Sequence, residues 1–407
     1  MIWSVAWRNV WRNKLRSLVV ILATAIGLYG SLFMVALMNG MMKQKVDATI
    51  ENEISDMQIH NPKFLENESI SYAIPEPEKV EEILDSEEGI KAYCMRAKAT
   101  GMASTARSGN GVMINGINPE SEMKVTAIHS KLSDGKYFEK NSRIASIVIS
   151  ARLADQLKTG VGKKVVLTTA ALNGETAQAL FHVEGIYRTS NTVFDELNVF
   201  IRTEDLMKMV QPDTNIVSEI AIMYHDNVDI KQAKASLSEK LPALSVQTWK
   251  ELAPTVLALL AMMDQFGFIL IMIILLALTF GIINVMLMVI IERTRELGML
   301  MAIGMNRFKV FRMIMLETIF MSVTGAVIGV VMTIITVNLT ARNGINFASW
   351  SEGFEALGYS SHVFPVIATS FYVFLGFMVI IAAMLASVWP ARKALKLQPA
   401  DAVRDET

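Results

Sequence analysis

Between Phe266 and Ile291 the chain reads FGFILIMIILLALTFGIINVMLMVII and carries no charged side chain. Such a run has few ways to fold in water. About 20 apolar residues in a helix match the roughly 30 Å hydrocarbon core of a bilayer, and lipid satisfies no exposed backbone polar group. Three more runs meet the same test: Ser17–Met38, about Met313–Val337 and about Val363–Trp389. Glu317, about one turn into the third run, is the only Asp, Glu, Lys or Arg well inside any of them. Composition agrees: the 407 residues are 52% hydrophobic and 19% charged, against about 25% charged in ordinary soluble proteins. A net charge of −1 provides no field for gathering nucleic acid.

Lys and Arg near the ends of the runs set the expected orientation. Arg8, Arg12, Lys14 and Arg16 precede the first run. Arg293, Arg295, Arg307, Lys309 and Arg312 lie between the second and third, and Arg392, Lys393, Lys396 and Arg404 follow the fourth. The stretch Asn338–His362 holds a single basic residue, Arg342. Both termini and the loop between runs two and three are therefore expected in the cytoplasm. The N-terminal run is read as a retained anchor, since it is too long for a signal-peptide core and no small-residue cleavage site closes it. The expected division is an amphipathic segment 1–16, spans at 17–42, 265–291, 313–337 and 363–389, an extracytoplasmic domain 43–264, a cytoplasmic hairpin 292–312, an outer loop 338–362 and a cytoplasmic tail 390–407.

Residues 43–264 are enough for a domain with its own core, and they mix strand and helix signals. GVMINGI, IASIVIS, KKVVLTT and IVSEIAIMY read as strands. PEPEKVEEILDSEEG, SARLADQLKTG and DIKQAKASLSEKL read as helices, the second with a serine cap and a closing glycine. VVLTTAALNGETAQALFHVEGIY reads as a hairpin turning at Asn173-Gly174. TWKELAPTVLALLAMMDQ is expected to run as one helix into the second span, making a stalk. The fold class expected is a four-helix membrane protein with a large α+β extracytoplasmic domain inserted between helices 1 and 2.

Chemical motifs are sparse. KTGVGKK resembles a phosphate loop only superficially, because no glycine lies five residues before Gly162 and Lys164 stands where Ser or Thr would bind magnesium. The five histidines (His60, His129, His182, His225, His362) show no metal-ligand spacing, and the lone Cys94 permits no intramolecular disulfide. No catalytic residue and no metal site is expected. Asn284, Thr279, Gly325 and Gly329 suit contacts between helices.

The loop between spans two and three, ERTRELGMLMAIGMNRFKVFRMIMLE, alternates a Leu/Met/Ile stripe with basic residues. Helical spacing of Glu292, Arg295, Glu296 and Met299 extends span two into it, and Asn306 is placed to cap a second helix that merges into span three. On its own such a hairpin suits an interfacial position on anionic lipid, a plain positive-inside loop, or a docking surface. This stretch resembles the signature of the ABC-transporter permease family of MacB, LolC–LolE and FtsX type, in which E-x-x-x-E-[IL]-G-x-L-[RK]-A-[IL]-G is followed by a Glu opening the next span. Glu292, Glu296, Leu297, Gly298, Leu300, Ala302, Ile303, Gly304 and Glu317 fit, while Met301 stands where Arg or Lys is common. AWRNVWRNKLRS is similar to the family's amphipathic lead-in. WPARKALKLQPADAVRDE is similar to its P-A-x-x-A-x-x-x-x-P-x-x-A-L-R ending, with Val403 for Leu.

The resemblance implies that the hairpin docks on a separate cytoplasmic ABC ATPase through Glu292, Arg295, Glu296, Leu297, Leu300, Ile303, Gly304 and Arg307. ATP and magnesium would be bound by that partner, with no cofactor in this chain. It further implies an inner-membrane location, pairing with a second copy or a sister permease, and movement of the external domain driven through the span-two stalk. The leading expectation is extraction of lipoproteins or similar amphiphiles. The alternatives are macrolide or peptide export with a periplasmic adaptor, and FtsX-like regulation of a peptidoglycan hydrolase. A path between spans one and two of paired subunits would be lined by Met34, Met38, Phe268 and Met272, residues that equally suit lipid-facing packing. The hairpin around Asn173 is short and without proline, unlike the longer hook that recruits a soluble lipid carrier in some relatives.

Overall fold

The computed structural model describes residues 2–12, 14–139, 144–189, 191–212, 214–347, 349, 353–354, 359 and 362–395. The chain forms two compact units: Met1–Met42 with Leu260–Asn346 and His362–Thr407, and Lys43–Leu259 with Phe347–Ser361. It opens on α1 (Ile2–Arg12) and α2 (Lys14–Thr49). Trp3, Trp7 and Trp11 repeat every four residues along α1 and stay exposed, as on a helix seated at a membrane surface.

In the second unit the described residues form a 10-stranded mixed sheet. In chain order its strands are β1 (Met57–His60), β2 (Ile90–Ser104), β3 (Gly109–Ile117), β4 (Leu132–Gly135), β5 (Ser146–Ser150), β6 (Lys164–Ala170), β7 (Thr176–Tyr187), β8 (Asn198–Arg202), β9 (Glu219–Tyr224) and β10 (Ser245–Thr248). They pair in the order β10-β1-β9-β2-β3-β8-β5-β7-β4, with β6 against β2 and β7. β3–β8 and β5–β7 are parallel and the other pairs antiparallel. The intervening helices are α3 (Phe64–Asn67), α4 (Pro77–Asp85), α5 (Pro119–Val125), α6 (Ala151–Leu157), α7 (Thr192–Leu197), α8 (Thr203–Val210), α9 (Ile230–Lys240) and α10 (Trp249–Leu252).

The two largest apolar clusters of this unit lie between its helices and the sheet. Val80 and Leu84 of α4 and Leu237 of α9 pack on Met57, Ile59, Ile220 and Ile222. Leu153 and Leu157 of α6 and Leu206 of α8 pack on Ile114, Ile147, Ile149, Val199 and Phe181. The expected strands and the Asn173-Gly174 hairpin are present as β3, β5, β6, β7 and β9. The Ser150 hydroxyl caps α6 by accepting from Leu153 N at 3.0 Å. That helix closes on Lys158, at φ 51°, and not on the glycine expected.

The stalk differs from the single helix expected. α10 stops at Leu252, and a new helix, α11, runs Pro254–Glu292. Proline lacks an N–H and pushes the residue before it out of the α region, so Ala253 becomes a break at φ −116°, ψ 61°. At 1.5 Å per residue the 39-residue α11 is about 58 Å long, nearly twice the hydrocarbon thickness.

α12 (Thr294–Ala302), α13 (Arg307–Asn343) and α14 (Thr369–Leu395) follow. Among the described residues, four helices are long and apolar enough to cross a membrane: Ser17–Ile54, Pro254–Glu292, Arg307–Asn343 and Thr369–Lys393. The fourth starts later than the expected Val363. His362–Val363 (β12) instead pairs antiparallel with Ile345–Asn346 (β11), and Pro365 follows before the helix begins. α13 lies tight on α2 because Gly325 and Gly329 have no side chain. A Cβ at Gly325 would sit 2.6 Å from the Ile21 carbonyl oxygen, and one at Gly329 2.7 Å from that of Ala25. Lys396, Arg404 and most of the C-terminal motif lie outside the described residues.

Candidate functional site

The hairpin between α11 and α13 is built from two helix ends. α11 stops at Glu292, so the continuous helix expected through Met299 is interrupted at Arg293, whose backbone turns to φ −100°, ψ 12°. α12 is closed by a Schellman arrangement. Met305 N donates to Leu300 O at 3.0 Å and Gly304 N to Met301 O at 3.1 Å, with Gly304 at φ +96°. That conformation favours glycine. Asn306 then starts α13, its Oδ1 accepting from Phe308 N at 3.0 Å.

Packing sorts the side chains into two sets. Leu297 is 2% exposed and faces the helical core, where Leu300 and Met301 also rest. Leu297 and Leu300 therefore orient the hairpin, and the outer face falls to others. Met299 (58%), Ile303 (80%) and Phe308 (63%) are the exposed apolar residues of the tip. Arg295, Gly304, Arg307 and Lys309 are exposed around them, as is Glu292. An exposed apolar patch rimmed by cations is the expected form of a protein contact.

Charge pairs fix this tip to the rest of its unit. Arg293 Nη1 donates to Glu317 Oε2 at 2.8 Å and Arg293 Nε to Glu296 Oε2 at 3.1 Å. Asn9 Nδ2 of α1 donates to Glu317 Oε1 at 2.7 Å, and Arg12 Nη2 of α1 to Glu296 Oε1 at 2.6 Å. Burial works to raise the Glu296 carboxyl, but the bonds from Arg12 and Arg293 outweigh it and hold the group below its ordinary range. Trp3 and Trp7 meet the Phe320 ring edge-on at 5.6 and 5.4 Å, adding an aromatic contact between α1 and α13. Glu296 is thus engaged within the chain. Arg293, Asn9, Met299 and Phe308 were not among the expected docking residues, and Met299 entered only through the helical spacing of the loop. Arg293 counted there only as one more positive charge, and its partner Glu317 is 24 residues away.

The residues proposed for a membrane path are divided between α2 (Met34, Met38) and α11 (Phe268, Met272). Met34, Phe268 and Met272 are exposed and Met38 is half-buried. Among the described residues no group of three or more His, Cys, Asp or Glu is placed to hold a metal ion.

Comparison with known proteins adds sequence likeness to this geometry. The family model described as MacB-like periplasmic core domain matches residues 17–240, and FtsX-like permease C-terminal matches residues 268–399. The lipoprotein-releasing system transmembrane protein LolC of Neisseria meningitidis is 22% identical over 411 residues, covering 96% of this chain and 94% of that protein. LolC of Xylella fastidiosa is 23% identical over 309 residues, covering 72% and 73%. The macrolide export ATP-binding/permease protein MacB of Chlorobaculum tepidum is 35% identical over 127 residues, which are 31% of this chain and only 17% of MacB. The solved periplasmic region of MacB from Actinobacillus actinomycetemcomitans covers 54% of this chain and 94% of its own at 14% identity, with a TM-score of 0.36.

Proposed function

Since this chain belongs to the ABC-transporter permease family of MacB, LolC and FtsX type, we propose that it is the membrane subunit of a complex driven by a separate cytoplasmic ATPase. The observation that carries this reading is the tip of the hairpin. Met299, Ile303 and Phe308 stand exposed inside a rim of Arg295, Arg307 and Lys309, while Arg293 and Glu317 lock the base. A partner with an apolar cleft and an acidic margin fits that surface. The ATPase binds ATP and magnesium. Its closure tilts the hairpin, and α11, far longer than the bilayer is thick, carries the tilt outward as a lever. In this reading both termini are cytoplasmic, the unit Lys43–Leu259 is extracytoplasmic between spans one and two, and a second copy or sister permease completes the complex.

The cargo in this reading is a lipoprotein or a similar amphiphile taken from the inner membrane. The end-to-end alignment with LolC supports it. Each buried methylene is worth about 0.8 kcal/mol, so drawing one long acyl chain into water costs on the order of 10 kcal/mol, which requires both an energy source and a shielded path. Met34, Met38, Phe268 and Met272 are the side chains proposed for that path. Because the β6–β7 turn is short and without proline, recruitment of a carrier would fall to a partner permease. The stronger local identity to MacB keeps macrolide or peptide export with an adaptor as the second reading.

Mass spectrometry of everything that co-purifies with the chain from its own membrane in mild detergent tests the proposal. An ATPase together with lipoproteins is the expected result. An ATPase with an adaptor or a peptidoglycan hydrolase overturns the cargo, and absence of any ATPase under conditions that preserve known complexes overturns the function.

A further inference from the structure

α2 ends far beyond its apolar run, and its last turn is gripped from several directions. The helix passes at Thr49 into a π-helical turn, Ile50–Ile54, a form found mostly as single turns at functional sites. The chain then turns at Ser55, a buried residue at φ 67°, ψ −172°. A non-glycine residue holds that conformation only where its surroundings determine it. Those surroundings are specific. The Glu51 carbonyl accepts from Ala127 N at 2.9 Å, the Glu53 carbonyl from Arg96 Nη1 at 3.3 Å, and the Ile54 carbonyl from Gln58 Nε2 at 2.8 Å. Of the carbonyls that lack intrahelical partners at the open end of a helix, three are thus satisfied by the segment after α5, by β2 and by β1.

The fourth grip is made by side chains alone. A carboxyl oxygen of Glu53 accepts from Asn191 Nδ2. The same Asn191 turns its Oδ1 to the start of α7, accepting from Val193 N at 3.2 Å and Phe194 N at 3.3 Å. One amide therefore caps α7 and holds Glu53 together. Arg96, which grips the adjacent carbonyl, is itself fixed by Glu122 and Glu219, so both attachments end on well-held elements.

We propose that Glu53 and Asn191 are positioning residues that fasten the end of α2 to α7, so that displacement of α2 is delivered to the mixed sheet and not absorbed by the π turn. This rests on the reading of the chain as a motion-transmitting permease. The fastening itself can be tested without that reading.

The full chain in lipid nanodiscs is compared by hydrogen–deuterium exchange with Glu53→Ala, Glu53→Gln and Asn191→Leu. Local opening is reported by exchange, and fastened elements open together. Glu53→Ala is expected to speed exchange at Val193 and Phe194 at least five-fold, although it touches neither. Asn191→Leu is expected to do the same across residues 50–55. Glu53→Gln, which keeps an oxygen for Asn191, is expected to behave like the wild type, an outcome that a general loss of stability would not give. Changes confined to the mutated side of the pair overturn the proposal. ATP-driven release of a fluorescent triacylated lipopeptide from proteoliposomes containing the co-purified ATPase is then measured on the same variants. Glu53→Ala is expected to keep ATP hydrolysis and lose at least ten-fold in release, and unchanged release also overturns the role. A wild type that releases nothing refutes the transport reading, while the exchange result still decides the fastening.

Discussion

Arg293→Ala is expected to cost more than any other single change in the helical unit. Arg293 is bonded to both Glu296 and Glu317, and the Glu317 side chain is only 5% exposed. Removing one partner of a buried ion pair typically costs about 3–5 kcal/mol, because the remaining charge is left without compensation. α12 would lose its fixed base, so the tip would no longer be presented in one orientation. The protein is expected to reach the membrane, with a lower thermal midpoint in detergent and with ATPase co-purification reduced at least ten-fold. Arg293→Met combined with Glu317→Leu removes both charges at similar volume and is expected to recover a large part of the thermal midpoint, since an apolar pair of similar volume is often neutral. If the double variant melts no higher than Arg293→Ala, the pair does not act as a buried charge pair.

The second large effect is expected at Arg96, in the mixed sheet. Arg96 lies between Glu122, bonded at 2.7 Å, and Glu219, bonded at 2.6 Å, with side-chain exposures of 4%, 1% and 2%. Lys98 and His60 complete the shell of Glu219. Burial works to raise the Glu219 carboxyl, but the Lys98 and Arg96 charges and the His60 bond outweigh it and hold the group well below its ordinary range. Arg96→Met leaves two buried carboxylates facing each other and is expected to lower stability by about 3–5 kcal/mol, roughly 6–20 °C in the midpoint of a unit this size. Glu219→Gln tests the sign with pH. A carboxyl whose folded pKa is depressed stabilises fully above its unfolded pKa, near 4.3, and loses that contribution as pH falls below it. The gap in midpoint between wild type and Glu219→Gln is therefore expected to be widest at pH 6–7 and to close as the pH falls below about 4. A gap independent of pH would contradict the charged cluster.

How far these features could be read from the chain follows from the range of the interactions that make them. The spans are legible because a charge-free run such as Phe266–Ile291 is a local property. So are the Asn173-Gly174 turn, the Ser150 cap and the Asn306 cap, each decided within a few residues. The break at Ala253 was also available locally, in Pro254, but the apolar helical pattern on both sides obscured it. Sheet order was not legible. β1 pairs with β9 and β10, far along the chain, and alternation within a strand specifies its buried face without naming its neighbour. The same limit hid the long-range side-chain pairs. Asn9 and Glu317 are 308 residues apart, and Glu53 and Asn191 are 138 apart. The loop motif pointed to the hairpin, but only packing separates Leu297, turned inward, from Ile303, turned out.

The most direct test of the account is a photo-crosslink from the tip of the hairpin in the native membrane. A benzoylphenylalanine placed at Ile303, 80% exposed, is expected to form a covalent adduct with a cytoplasmic ATPase subunit. The same group at Leu297, 2% exposed, is expected to react only within the chain. An Ile303 adduct with lipid alone, in membranes where the complex is intact, would contradict docking and return the hairpin to a basic loop resting on the bilayer.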